Sequence, residues 1–172
     1  VGHDVLALNT VIGLVQAING IVQFTVGMTI AKSWNPHKSI RIGYWVSVFT
    51  FLGFLSTRPI GEMFDIAPLY VMLVWQVPLG LGFGLLYIGT LRAVSESCDE
   101  PGTATGLIGV TLSSSAIFGP AIGLAFYSLS MTYGWGWLLV DHRTSMLLAV
   151  FGSLVGALLF AKHWTGIVDE AE

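Results

Sequence analysis

Long uncharged stretches alternate with short polar connectors along this chain. Five stretches recur, at about 5–31, 42–57, 66–91, 104–131 and 144–161. At about 1.5 Å per residue the long ones exceed a hydrocarbon core of roughly 30 Å and can tilt in it, whereas the second and fifth just reach across. In a medium without water to satisfy backbone N–H and C=O groups, such segments must be helices. The expected fold is therefore all-α: one transmembrane helical domain over residues 1–172, a bundle of about five spans.

The first stretch departs from a plain apolar pattern. "LNTVIGLVQAINGIVQFTVGM", residues 8–28, carries Asn9, Gln16, Asn19 and Gln23 together with Gly13, Gly20 and Gly27. At roughly 100° per residue, Asn9, Gly13, Gln16, Gly20, Gln23 and Gly27 fall within an arc of about 80°. An amide in hydrocarbon loses its water hydrogen bonds, and glycines let another backbone come close. The stripe is expected to face protein or a hydrated path, with Gln16 nearest the midplane and Asn19 at the edge of the arc. The stretch is too long for a signal-peptide core and has Asp4 rather than basic residues before it, so it reads as a mature helix.

Composition supports a membrane setting: 54 % of residues are hydrophobic, 10 % are charged, and the mean hydropathy is +0.78. Basic residues set the orientation. Lys32, Lys38, Arg41, Arg92 and Lys162 fall on one side and Arg58 and Arg143 on the other, which predicts an outside N-terminus and a cytoplasmic C-terminus. A plasma membrane or bacterial inner membrane fits this bias. Aromatic residues mark the interfaces, with Trp34, Tyr44, Trp45 and Trp164 inside and Tyr70, Tyr133, Trp135 and Trp137 outside. The net charge of −3 lies mostly in loops and in the "DEAE" tail, which gives no support to a nucleic-acid partner. The single cysteine, Cys98, sits in an inner connector and has no partner for an internal disulfide.

No Asp, Glu, Lys, Arg or His lies inside the five stretches. That removes the usual mark of a proton relay and leaves no nucleophile–base pair of the kind hydrolases use, so no enzyme is expected. The four histidines lie at the ends of stretches. His3 and His142 share the outer face and could ligate a haem or a metal ion, but no spacing motif supports the pair, and no cofactor is expected.

Two later segments are built for close packing. The third stretch contains "VPLGLGFGLLYIGT", in which Gly80 and Gly84 form a G-x-x-x-G pair and Pro78 removes one helical hydrogen bond, favouring a kink or hinge. The fourth contains "SSSAIFGPAIGLAF", where Ser115, Gly119 and Gly123 make a small-residue seam with Pro120 set into it.

These residues bring a family into view. "SAIFGPAIGL", 115–124, resembles the G-x-x-x-G-P-x-x-G-G motif of drug/proton antiporters in the major facilitator superfamily, with Ser115 for the first glycine and Leu124 for the last. "GMTIAKSWNPHKSIRIG", 27–43, stands where that family has its basic loop, and "VPLGLGFGLLY" is similar to the glycine-rich span that follows. "GTATGLIGV" resembles the entry of the next span and "VDHRTSMLLAVFGSLVGALLF" a closing one. The likeness covers nearly the whole chain and corresponds to five of the six helices of one transporter half. It implies a packing role for Gly27, Gly119, Pro120 and Gly123. Lys32 replaces the loop motif's acidic residue, Asn35 its glycine, and Gln76 stands near the place of a buried arginine, so substrate and coupling residues do not carry over.

Two functions meet these observations. One is a transporter-like bundle, or transporter half, moving a small organic or amphipathic solute, with a second half, a homo-oligomer or other membrane subunits as partner. The other is a non-catalytic structural subunit of a larger membrane complex, such as an energy-converting assembly, packing on neighbouring helices, lipids or pigments. The Gly-Pro seam favours the first and the absence of charge within the stretches the second.

Overall fold

A computed structural model describes residues 2–97, 100–133 and 143–168, and these form an all-helical chain without strands. The helices are α1 (Gly2–Met28), α2 (Ile30–Ser33), α3 (Pro36–Leu55), α4 (Thr57–Phe64), α5 (Pro68–Ser97), α6 (Pro101–Tyr133) and α7 (Arg143–Val168). Among the described residues, α5 is the one helix long and apolar enough by length and composition to cross a membrane. The pair α3 and α4 meets the same test only if taken together as one bent span, with 54° between its parts.

Local chemistry sets the boundaries. The Asn35 side chain accepts a hydrogen bond from the His37 N–H at 2.9 Å, and Pro36 occupies the first helical position, so α3 starts well before residue 42. It stops where the Ser56 hydroxyl and N–H both donate to the Gly53 carbonyl, at 2.7 and 3.0 Å. The connector beyond is itself helical. Arg58 and Glu62 pair at 2.8 Å along α4, and Asp65 closes it in the left-handed region with φ 52°. Helix α5 continues through Pro78 and past residue 91 as far as Ser97.

The packing centres on α5, which lies between α3 and α1. At roughly 100° per residue its glycines divide into two nearly opposite faces. Gly80 and Gly84 meet α1: a Cβ at Gly80 would lie 2.8 Å from the Asn19 carbonyl oxygen, and one at Gly84 3.1 Å from that of Gln23. Gly82 and Gly89 meet α3, where a Cβ would stand 2.8 Å from Ser47 Oγ and 3.0 Å from the Pro36 carbonyl oxygen. These contacts run α1 parallel to α5 and α3 antiparallel to it. Helix α7 closes the other side of α3, with Tyr44 against Gly156 and His37 stacked on Phe160 at 6.1 Å. Buried Val26 and Leu85 form the apolar centre of the α1–α5 contact.

One end of the bundle is tied by polar groups. Arg92 donates to the Trp34 carbonyl at 2.7 Å and pairs with Glu96, while the Lys38 ammonium lies 4.8 Å from the Trp34 ring.

Candidate functional site: the cleft between α1 and α5

The amide and glycine stripe of α1 does not point at α5. The contacting residues are Asn19, Val22, Gln23 and Val26, a face whose centre is rotated by about 90° from the stripe at roughly 100° per residue. The stripe is thereby divided. Gly13, Gln16 and Gly20 are exposed, with nothing described within 4 Å of a Cβ built on either glycine, whereas Gln23 and Gly27 are half-buried on the flank of α5.

A cleft of about 350 Å³ opens along that flank. Gly20, Gln23, Phe24, Gly27 and Met28 line it from α1, and Gly84, Tyr87 and Ile88 from α5. Each glycine has a distinct part in it. Gly84 brings the helices together, Gly27 sits 3.2 Å, measured from a built Cβ, below Ile88, and Gly20 leaves its end of the cleft open. The wall is apolar and aromatic apart from the Gln23 amide and the Tyr87 hydroxyl. Gln23 Nε2 donates to Asn19 Oδ1 one turn earlier, which orients the amide and leaves Oε1 without a described partner. Thr25 and Thr29 donate to the carbonyls of Ile21 and Thr25 at 2.8 and 2.6 Å, so their hydroxyls are satisfied within α1. Among the lining residues described there is no acid–base pair.

The other expected site residues are distributed differently. Pro78 lies half-buried within α5. Gly119 is exposed, and nothing described lies within 4 Å of its built Cβ, so no close contact is made there among the described residues. Gly123 is half-buried. The side chains of Asn9, His3 and Pro120 are outside the described set, as are His142 and Cys98 altogether. Among the described residues no group of three or more His, Cys, Asp or Glu side chains could hold a metal ion.

A polar seam on α3 escaped the reading from sequence. Ser39, Gly43, Ser47, Thr50 and Gly53 are all buried, and Ser47 and Thr50 donate to the Gly43 and Val46 carbonyls at 2.9 and 2.7 Å. Ser39 Oγ is buried without a hydrogen-bond partner among the described residues. The signal was present as small residues three and four apart. It was hidden because the second stretch was drawn from residue 42, which cut off Pro36 and Ser39. Gln76 on α5 is also buried, at 5 % exposure.

Compared with models of protein families, with curated proteins and with solved structures, the chain matches none. The resemblance to the major facilitator superfamily stands on its quoted residues alone.

Proposed function

We propose that this chain is a multi-pass protein of a plasma or bacterial inner membrane, crossing about five times with its N-terminus outside and its C-terminus cytoplasmic. In this reading it is a transporter-like bundle, or transporter half, that moves a small organic or amphipathic solute. The observation that carries the reading is the α1–α5 cleft: two helices held together by Gly80 and Gly84 leave a cavity of ligand size beside their contact, lined by apolar walls and a fixed amide. The likeness of "SAIFGPAIGL" to the antiporter motif supports it. Transporters of this kind rock two bundles about a midplane site, so the chain works with a second half, supplied by another copy or by other membrane subunits.

The test uses single cysteines at Gly20, Phe24 and Met28 in a Cys98→Ser background, reconstituted in sealed vesicles. A membrane-impermeant thiol reagent is expected to modify them much faster than a cysteine at Phe151, which is 65 % exposed on α7. Equal, slow rates at all four positions would mean that the cleft is filled by acyl chains, and would reject the transport reading.

The openness of α6 favours a second reading, a structural subunit of a larger membrane complex. Phe118 and Leu124 on this helix are 62 and 69 % exposed. Detergent extraction separates the two readings. A large particle of fixed composition containing this chain supports the subunit role, and a particle of one or two copies supports transport.

A further inference from the structure

We infer that the α1–α5 cleft selects an uncharged solute with a planar aromatic or similarly flat apolar body and one hydrogen-bonding group such as a hydroxyl. This rests on the reading of the cleft as a solute site and adds to it the class of molecule taken. Among the eight lining residues there is no Asp, Glu, Lys, Arg or His, so nothing there compensates the desolvation of a formal charge. A charged solute would give up its hydration for no ion pair, whereas an uncharged one loses little. Shape follows from Gly20 and the two aromatic residues: nothing described lies within 4 Å of a Cβ built on Gly20, so backbone forms a shallow wall at that end, and Phe24 and Tyr87 bring aromatic rings to the lining. Flat bodies make the most contact with such walls.

The polar requirement comes from Gln23. One Nε2 hydrogen is engaged with Asn19 Oδ1, which leaves Oε1 as an acceptor and the second Nε2 hydrogen as a donor, with the Tyr87 hydroxyl beside them in the lining. A solute hydroxyl, which both donates and accepts, makes the fullest use of this edge. A solute without any polar group leaves it unpaired.

Benzophenone photoprobes test this on the full-length protein in vesicles. On irradiation the excited ketone takes a hydrogen atom from a nearby C–H, and the two carbon radicals couple, turning the ketone into a tertiary alcohol joined to the protein. Four probes are compared by peptide mapping: 4-hydroxybenzophenone, unsubstituted benzophenone, a trimethylammonium derivative and 4-benzoylbenzoate. The hydroxy probe is expected to label the segments 20–28 and 84–88 saturably. Unsubstituted benzophenone should label them less, by up to about tenfold for one lost hydrogen bond, and the charged probes less still. Gly20→Leu puts a side chain at the open end, where a built Cβ meets no described atom, and should abolish this labelling while leaving the thermal unfolding midpoint unchanged. Gln23→Leu should bring the hydroxy and unsubstituted probes to equal labelling.

Two results would overturn the inference, and they differ. Saturable labelling of the cleft by charged and neutral probes alike removes the selectivity but leaves the cleft a solute site. Labelling spread evenly over the cleft, Phe118, Leu124 and Phe151 shows only partition into lipid, and removes both the selectivity and the solute site.

Discussion

Helices α5 and α6 are alike in composition and opposite in circumstance. Both are long, apolar and rich in glycine. On α5, Gly80, Gly82, Gly84 and Gly89 are buried, each against backbone or side chains of α1 or α3. On α6, a Cβ added at Gly102, Gly106, Gly109 or Gly119 would meet nothing described within 4 Å. The contrast teaches that glycine spacing records a capacity for close approach, and that the capacity is used only where a second helix arrives in register. On α5 it is used within the chain. On α6, at these four glycines, it is not used among the described residues.

The largest effect should come from closing the space that α5 uses. A Cβ at Gly43 would lie 2.8 Å from Leu86 Cγ and 3.0 Å from the Gly82 carbonyl oxygen and the Leu86 nitrogen, two of them backbone atoms with little room to yield. Gly43→Leu is expected to destabilise the chain by about 3 kcal/mol or more, read as a fall in the thermal unfolding midpoint in detergent. A midpoint like that of the parent protein would break the comparison at its closed end.

Within the same seam, Ser39→Ala removes a buried hydroxyl that has no described hydrogen-bond partner and keeps the Cβ beside Gly89. The expected change is a gain of about 1 kcal/mol, seen as a higher midpoint. A loss of similar size would mean that the hydroxyl is satisfied by a group outside this chain.

The open helix supplies the counter-test. Gly119→Leu should change the stability of the isolated chain by no more than about 0.5 kcal/mol, because its built Cβ meets nothing described. The same variant should shift the size of the native particle if α6 packs on a partner. A fall in the isolated chain's midpoint as large as that of Gly43→Leu would erase the distinction between the two helices.

The smallest effect is a pH dependence at the closed end, outside the proposed spans. Burial beside Phe160 lowers the pKa of His37 below its ordinary 6.5, partly offset by the Glu96 carboxylate, which raises it. The unfolded chain then takes up this proton more readily than the folded one. Stability is full above the unfolded value near 6.5 and is lost as pH falls through the lower folded value. Acidification should lower the midpoint slightly, and His37→Phe should remove that part of the slope. An unchanged slope in the variant would assign the effect to other groups.

Local features were the most legible. The uncharged stretches mark the long helices, while Asn35 and Pro36 carry a helix start that capping chemistry marks and hydropathy does not. The connector 58–65 reads as polar, yet its Arg58 and Glu62 are spaced as helical ion-pair partners, and it forms α4. For the cleft, sequence singled out Gly20, Gln23, Gly27 and Gly84 but could not join them, since Phe24, Met28, Tyr87 and Ile88 are ordinary apolar residues until the two helices meet.

What the sequence by itself determined is the helical character of the chain and the approximate course of its long helices. These depend on hydrogen bonds between residues four apart and on caps within a few residues, so the information is local. The tertiary structure alone decided that Gly80 and Gly84 face α1 while Gly82 and Gly89 face α3, and that the amide stripe of α1 lies beside the contact rather than in it. A glycine lacks the atom that would specify its neighbour, so its spacing is equally compatible with a partner helix, a cavity or lipid. The choice is made by the valines and leucines around it, whose burial sets the rotation of each helix, and that rotation is a property of the assembled bundle.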